Sequence, residues 1–372
     1  IAYFDKLVAF VTYLPVREDF YRSCDGHYAA DADKLLYDGP FAIARWVHGA
    51  SLRLEKNPYY WDRRDVKLDI IDIPYITTDR SAWMSLYRDG DIASAERLPS
   101  QSLEEALKHR WPVGRFNDGS VWYLELNFRP GRLTGNYHFR KALQLVNDNR
   151  ELVNKVLKNP GYTPTNSLFP SWLKGEHGFF EQEHPPSVVR PDPEQARQQL
   201  ELARRELGLK RFPPLVLLSD DTDAARRWSE YLQALYRREL GLTVRIDRQI
   251  FKQRLAKAVA GDFDILIAGW GPDYDDPLTF ADLFASWNLN NDAKYANPEL
   301  DAQVHIAQRS LDPAVRMAAF AKIQRILGDD VVVIPAYERG LMYVQDARLK
   351  GVTHNAIGAE RDYTHAYLVA KP

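Results

Sequence analysis

Short apolar runs along the first third of the chain predict β-strands rather than long helices. Residues 41–47 and 70–76 are compact apolar runs, and residues 51–55 alternate between polar and apolar side chains, as strands with one buried face do. A helix is expected over 80–89. A further strand is predicted over 121–127, where aromatic and aliphatic residues cluster.

The second half alternates between helical and strand-like patterns. A helix is predicted to begin at Asp192–Pro193 and to stop at Gly208, because an Asp cap, a Pro at the first position and a terminal Gly are typical helix boundaries. The same reasoning predicts strands at 215–218, 242–246, 263–268 and 331–335, and helices at 222–240, 251–260 and 313–328. This order favours an α/β lobe whose helices cover a largely parallel sheet.

Two stretches lack a regular pattern. Residues 1–38 start apolar and become polar and small, and we interpret them as the end of a unit that starts outside this chain. The chain begins at Ile1 rather than Met, so we expect a fragment or a processed product. Residues 183–193 are rich in proline and are predicted to be a surface loop within the second half.

Composition narrows the possible functions. The chain has 372 residues, 45% hydrophobic and 27% charged, with a formal net charge of −2, which is typical of a globular protein with two or more domains. Acids and bases are interspersed, so nucleic acid is disfavoured as a partner. The 20 Tyr, 16 Phe and 9 Trp residues suit a binding cleft, although large α/β proteins commonly carry many aromatic residues.

The sequence lacks the usual signals of catalysis, metal binding and membrane insertion. Cys24 is the only cysteine, which excludes an intrachain disulfide, and no base can be named that would activate it. There is no phosphate-binding Gly-rich loop and no G-x-S-x-G motif. His177 and His184 match no common metal-ligand spacing, and no apolar run approaches the ~20 residues that span a bilayer. We therefore expect no enzyme activity, no metal and no cofactor.

One segment combines the features of a ligand site. The strand predicted over 263–268 continues into Gly269, Trp270 and Gly271, and Asp273 follows two residues later. Ligands of open α/β sheets bind beyond the carboxyl ends of the strands. The two glycines would let a ligand approach the backbone, Trp270 would form an apolar wall, and a carboxylate would hold a cation.

The acids of this segment allow two interpretations. Asp276 is expected to cap the next helix, with Pro277 at its first position. For Asp273, a place in a strand-to-helix loop and a role as a ligand anchor remain equally open from the residues alone.

The same segment resembles a motif of a known family. The stretch Gly269-Trp-Gly-Pro-Asp-Tyr-Asp-Asp-Pro-Leu-Thr-Phe resembles G-W-x-x-D-Y-x-x-P-x-x-F of the family 5 extracellular solute-binding proteins of ABC transporters, most closely the oligopeptide-, dipeptide- and murein-peptide-binding branch. Further stretches agree in order along nearly the whole chain: Asp38-Gly-Pro-Phe-Ala-Ile-Ala-Arg-Trp, Leu54-Glu-Lys-Asn-Pro-Tyr-Tyr-Trp, Tyr87-Arg-Asp-Gly-Asp-Ile, Phe139-Arg-Lys-Ala-Leu, Asp148-Asn-Arg-Glu-Leu-Val, Tyr295-Ala-Asn-Pro-Glu-Leu-Asp and Ile334-Pro-Ala-Tyr. At Ala93 the family usually has an acid.

The resemblance implies an α/β, two-lobe fold of the periplasmic-binding-protein type (type II, cluster C) with a hinge, from which the N-terminal part is missing. In this scheme residues 1–30 end a small extra domain, and 31–127 form the second segment of lobe I. Residues 128–343 form lobe II, and 344–372 return to lobe I. The hinge crossovers would lie near 127 and 343.

The resemblance also implies a peptide-binding site. In the oligopeptide-binding branch, the acid equivalent to Asp273 pairs with the peptide's α-ammonium, and backbone groups beside the Trp bond to the peptide main chain. The residues expected to bind ligand are Asp273, Trp270, Gly269, Gly271, Tyr274, Trp122, Tyr123, Tyr337 and Arg339. Relatives often place basic residues where this chain has Ala258, Val259 and Ile267, so Arg339 or Arg254 would have to receive a ligand carboxylate.

The leading hypothesis is therefore the substrate-binding component of a peptide-type ABC importer. It would act outside the cytoplasm, for example in the periplasm, as a monomer that delivers an oligopeptide or peptide-like ligand to a membrane permease. The alternative is a ligand-sensing domain of a regulatory protein, followed by a binder of nickel or another small solute within the same family. An enzyme with a site assembled from distant acids is the third class considered.

Overall fold

The computed structural model describes residues 1–77 and 79–370. The chain divides into two compact units. The larger unit contains Ile1–Val8 and Gly119–Arg339, and the smaller unit contains Ala9–Asp118 and the chain from Gly340 onward. The two units are compact parts of this chain. The lobe boundaries predicted near 127 and 343 refer to lobes of the complete protein and stay predictions.

Helices and strands alternate along most of the described chain. The α-helices are α1 (Phe4–Val8), α2 (Glu18–Ser23), α3 (Arg80–Asp89), α4 (Ser100–Lys108), α5 (Tyr137–Val146), α6 (Asn149–Glu151), α7 (Phe180–Glu183), α8 (Pro193–Glu206), α9 (Asp223–Leu240), α10 (Phe251–Ala260), α11 (Leu278–Ala281), α12 (Pro298–Arg309) and α13 (Pro313–Asp329). The strands are β1 (Phe41–Val47), β2 (Ser51–Lys56), β3 (Ile70–Ile73), β4 (Ser94–Glu96), β5 (Val113–Leu126), β6 (Thr163–Pro164), β7 (Leu215–Asp220), β8 (Val244–Gln249), β9 (Ile265–Trp270), β10 (Val333–Gln345), β11 (Leu349–Lys350), β12 (Thr353–His354), β13 (Arg361–Asp362) and β14 (Tyr367–Leu368).

The smaller unit is built on an antiparallel sheet in the order β1-β2-β3. Its β4 pairs with the end of β10, where Glu96 lies opposite Tyr343. Helices α3 and α4 contribute Met84 and Ala106 to a small apolar cluster that also contains Ala95, Leu98 and Val344.

The larger unit contains a mixed sheet in the order β10-β5-β9-β7-β8, with β6 paired to β10. Strand β7 is parallel to β8 and β9, as the alternating pattern predicts. Strand β5 runs antiparallel to β9, with Val121 opposite Trp270 and Leu126 opposite Ile265. The sheet is therefore less uniformly parallel than the sequence indicates, because β5 enters from the smaller unit and not through a crossover helix.

Helices cover both faces of this sheet. On one face, Tyr123, Leu218 and Leu266 pack in a core with Phe280 and Phe320. The opposite face places Leu124, Leu217 and Ile265 against α5, α8 and α9. Because consecutive strand residues point to opposite faces and both faces are buried, the strands are continuous apolar runs in the sequence.

Helix boundaries follow the predicted signals closely. The Asp192 carboxylate accepts a hydrogen bond from Gln195 N, 2.9 Å away, and Pro193 opens α8. Thr222 caps α9, and Gly241 ends it with a φ of 65°. Among the described residues, no helix combines the length and apolar character needed to cross a membrane.

Candidate functional site

The candidate site begins where β9 ends, at the carboxyl end of the parallel strands of the larger unit. The loop after Trp270 leads into α11, and the Thr279 hydroxyl fixes the first part of this loop. Thr279 Oγ1 accepts hydrogen bonds from Asp273 N at 3.1 Å and from Trp270 Nε1 at 3.3 Å. One side chain thus holds the backbone of Asp273 and the indole of Trp270 close together.

Asp273 has a half-buried carboxylate, and burial raises its pKa. No Lys, Arg or His side chain within 1–77 and 79–370 forms an ion pair with it. Asp282, close by on α11's C-terminal side, has its pKa raised to about 7, first by burial and then by the charge of Asp273. The site therefore places two neighbouring carboxyl groups in a partly dehydrated environment, where a cation would favour their ionised forms and be bound more strongly than in water.

Asp276 has the structural role that the sequence suggests, with one difference. Its carboxylate accepts a hydrogen bond from Leu278 N at 3.0 Å, but α11 begins at Leu278 and Pro277 is the residue before it. The carboxylate also forms a bidentate ion pair with Arg316, at 2.7 and 2.9 Å, in a nearly fully buried environment. Asp276 is thus neutralised within the fold, in contrast to Asp273.

Tyr274 lies against the core. Its ring stacks on Tyr3, with centroids 5.7 Å apart, and burial raises its hydroxyl pKa. The Arg316 guanidinium lies 5.7 Å from the centroid of the Tyr3 ring. Tyr274 therefore anchors the loop that carries Asp273 as well as bordering the site.

A second group of predicted residues lies on the opposite face of the same sheet. Trp122 is opposite Gly269 in the β5–β9 pair, and a Cβ at Gly269 would lie 2.7 Å from the Trp122 ring. The Arg339 guanidinium lies 5.5 Å from the centroid of that ring, within the distance of a cation–π contact. Tyr337 stacks on Trp122 with centroids 6.1 Å apart. Gly269 is therefore required by the close approach of an indole ring.

The structure thus brings the predicted residues into two groups instead of one. Trp270, Asp273 and Tyr274 form the first, while Trp122, Gly269, Tyr337 and Arg339 form the second. Gly271 is exposed, with open space where a side chain would begin. Tyr123 and Tyr337 are 4% and 2% exposed, so they support the walls of the site from within the two cores.

Arg254 does not have the exposure that a ligand carboxylate would need. Its Nε donates to Asp220 Oδ1 at 3.2 Å, and the two side chains are only 10% and 7% exposed. Of the two arginines considered from the sequence, Arg339 is the one that this leaves as a candidate.

Asp282 and Thr279 contribute to the site but were not identified from the sequence. Thr279 stands at an unspecified position of the quoted motif and Asp282 lies beyond it, and their proximity to Asp273 arises only when the loop folds back on α11. Within the described residues, no group of three or more His, Cys, Asp or Glu side chains is arranged to hold a metal ion.

Comparison with known proteins connects this geometry to a family. The sequence profile of the bacterial extracellular solute-binding proteins, family 5 Middle, matches residues 5–292. The oligopeptide-binding protein OppA of Bacillus subtilis is 29% identical over 381 residues, covering 98% of this chain and 67% of that protein. The dipeptide-binding protein DppE of the same organism is 24% identical, covering 96% and 64%. The chain therefore spans about two thirds of the length of these curated relatives.

Solved structures give the same result. The substrate-binding domain of an oligopeptide ABC transporter from Bacillus anthracis superposes with a TM-score of 0.85 at 30% identity, covering 100% of this chain and 72% of that one. Listeria monocytogenes OppA bound to peptide has a TM-score of 0.84 at 29% identity, with the same coverage. The predicted family and fold class are confirmed by these matches. The chain belongs to the family 5 bacterial extracellular solute-binding proteins.

Proposed function

We propose that this chain is the substrate-binding component of a peptide-type ABC importer, capturing an oligopeptide or peptide-like ligand for delivery to a membrane permease. The observation that carries the proposal is Asp273, a half-buried carboxylate beyond the carboxyl end of β9 with no ion-pair partner in the described chain. An α-ammonium group is the cation that every unmodified peptide supplies at its amino end.

The main chain around Trp270 supports peptide binding as well. Strand β9 pairs with β5 as far as Trp270, whereas its described pairing with β7 ends at Leu266. Ile267 and Ala268 are buried, so the β7-side edge that is open to an extended ligand is that of Gly269 and Trp270, which are partly exposed. A peptide that adds to this edge would gain main-chain bonds that do not depend on its sequence.

Arg339 is the proposed partner of a ligand carboxylate. Its position over the Trp122 ring leaves the guanidinium oriented by an aromatic face, and guanidinium groups bind carboxylates well in such surroundings. Ala258 and Ile267, by contrast, are completely buried apolar residues, and Val259 carries no charge.

The permease partner, a location outside the cytoplasm and a monomeric state belong to the same proposal. The permease and the location are supported by the description of the family as extracellular solute-binding proteins and by relatives such as the periplasmic oligopeptide-binding protein OppA of Salmonella typhimurium. A receptor of this kind binds and releases its ligand unchanged, so no reaction is proposed.

Asp273→Asn tests the ammonium anchor. Removal of the charge should weaken binding of trialanine by about tenfold to a hundredfold, since charge-assisted bonds in dehydrated sites have roughly that strength. Binding of N-acetyl-trialanine should change little, and calorimetric titration of both peptides measures the difference.

Asp275→Asn is the matched control, because Asp275 is an exposed acid two residues away. It makes the same change of charge and should leave both affinities near those of the unmodified protein. Equal losses for the free and acetylated peptides in Asp273→Asn would eliminate the anchor.

A further inference from the structure

A second concave site lies in the larger unit, away from Asp273. It is a cavity of about 390 Å³ bordered by α5, the end of α13, the start of β10 and the proline-rich loop after α7. That volume lies within the ~300–1,000 Å³ of typical small-molecule sites. The start of β10 lies at the end of the sheet opposite the candidate peptide site. Leu126 N donates to Val332 O, and Leu126 is paired with Ile265, the residue of β9 most distant from Trp270.

Lys141 brings a half-buried positive charge to this cavity. Its ammonium donates to Gln144 Oε1 at 2.8 Å, and this is the only hydrogen bond of the Lys141 side chain within residues 1–77 and 79–370. An ammonium has three donors, so two remain for a ligand. Burial lowers the pKa of Lys141, and the nearby negative charge of Asp329 only partly opposes that effect.

The acids around the cavity do not supply that partner. The Glu183 carboxylate accepts hydrogen bonds from the backbone N–H groups of Glu176, His177 and Gly178, so its charge is already satisfied. Asp329 is exposed at the end of α13, where water screens it. The inner, less hydrated charge is therefore positive.

The remaining walls are held in place by their own hydrogen bonds. Ser167 Oγ donates to Gln324 Oε1 at 2.6 Å, and Gln324 Nε2 donates to His184 O at 2.9 Å. This fixes the loop that carries Pro185 and Pro186 against α13. The cavity thus combines a rigid polar rim with apolar surface from Pro186, Val189 and Ile334, which also line it.

We propose that this cavity binds a small organic carboxylate, with the carboxylate accepting hydrogen bonds from Lys141 Nζ and the organic part packing on the proline-rich loop. Such a ligand would complete the donors of Lys141 and give its charge a close counter-ion. The site is independent of Asp273: it selects an anion, whereas the peptide site selects a cation at its anchor. An amino-acid derivative without a free amine would accordingly bind here and not at Asp273.

N-acetylglycine is a suitable probe, because it has a carboxylate and no ammonium, and N-acetylglycinamide is its uncharged match. Saturation-transfer NMR with the intact protein should detect binding of N-acetylglycine, at least about tenfold tighter than that of the amide. Lys141→Gln should weaken the acid by about tenfold, while Lys141→Arg, which keeps the charge, should retain most of the affinity.

Two further variants make the test specific. Lys322→Gln removes an exposed lysine of α13 that does not line the cavity and should leave binding unchanged. Gln144→Glu would give Lys141 an internal counter-ion and should compete with the ligand, weakening binding without removing Lys141. Binding that is equal for acid and amide, or reduced equally by Lys141→Gln and Lys322→Gln, would overturn the proposal, as would no detectable binding of the acid.

Discussion

Glu125 shows how strongly one residue can couple this fold to pH. It lies on β5 and is 3% exposed. Its Oε1 has no hydrogen-bond partner in the described part of the chain. Burial, followed by the negative charge of Asp292, raises its pKa from 4.5 to about 8. The folded protein therefore holds this proton at a pH where the unfolded chain has released it.

This shift predicts that stability falls as pH rises. Between about pH 4.5 and pH 8 the folded state binds more protons at Glu125 than the unfolded state does, so the free energy of unfolding decreases across that window. Its contribution from pH 5 to pH 8 is on the order of 3 kcal/mol, at 1.36 kcal/mol per pKa unit. Glu125→Gln should remove this part of the slope, as measured by denaturant unfolding at several pH values.

Glu299→Gln is the control for that measurement, because Glu299 is an exposed acid of α12. It should leave the pH dependence as it is in the unmodified protein. If Glu125→Gln and Glu299→Gln have the same slope, the buried carboxyl is not the source of the effect.

At the scale of elements, the contact between β5 and β9 depends on a missing side chain. Gly269 leaves room for the Trp122 ring, which in turn contacts Tyr337 and Arg339. Gly271, two residues along the same segment, has nothing within 4 Å of the place where a Cβ would be. The two glycines are therefore subject to different physical constraints.

Gly269→Ala should destabilise the protein by about 1–3 kcal/mol, the usual cost of overpacking, whereas Gly271→Ala should have little effect on stability. Thermal unfolding of both variants, with fluorescence of the tryptophans as a second readout, measures the difference. Equal stability of the two variants would mean that the Trp122 ring can move aside without cost.

The elements that the sequence predicts well are those with local signals. Helices α8, α9, α10 and α13 begin and end within about two residues of the predictions, because their caps and apolar spacing lie within the helix itself. Strands β5 and β10 are much longer than predicted. Their extensions contain polar residues such as Asp118 and Gln345, and only pairing with other strands makes those residues part of a sheet.

The residues of the candidate site likewise fall into those with a local sequence signal and those without one. Asp273 and Trp270 could be identified because they belong to a contiguous motif. Burial of Arg254 in an ion pair with Asp220 joins residues from α10 and β7, and no local pattern indicates such a pair. The position of Trp122 and Trp270 on opposite faces of the sheet likewise depends on strand register.

At the scale of the whole molecule, the two units differ in the size of their cores. The larger unit has two extensive apolar clusters, while the smaller has a cluster centred on Met84 and Leu98. Since buried apolar surface is the main stabilising contribution, the smaller unit should unfold at the lower temperature.

Calorimetry should therefore resolve two transitions, and core truncations should assign them. Met84→Ala should reduce the unfolding free energy of the smaller unit, and Leu217→Ala that of the larger unit, each by about 2–5 kcal/mol. The first change should lower the temperature of the first transition and the second that of the second transition. A single transition that both variants shift equally would indicate that the units unfold as one.

The division of the smaller unit along the chain has a consequence for synthesis. Met84 and Val344 share one cluster, and Arg97 pairs with Glu360 at 2.7 Å, yet these residues leave the ribosome far apart in time. At bacterial and eukaryotic elongation rates, the residues between Asp118 and Gly340 take on the order of ten seconds or more to be made. During that interval the larger unit can begin to fold, whereas the first part of the smaller unit lacks its C-terminal partner segment and keeps its apolar residues exposed to solvent. Residues 9–118 of the growing chain, rather than the finished protein, are where a nascent-chain chaperone would be expected to bind.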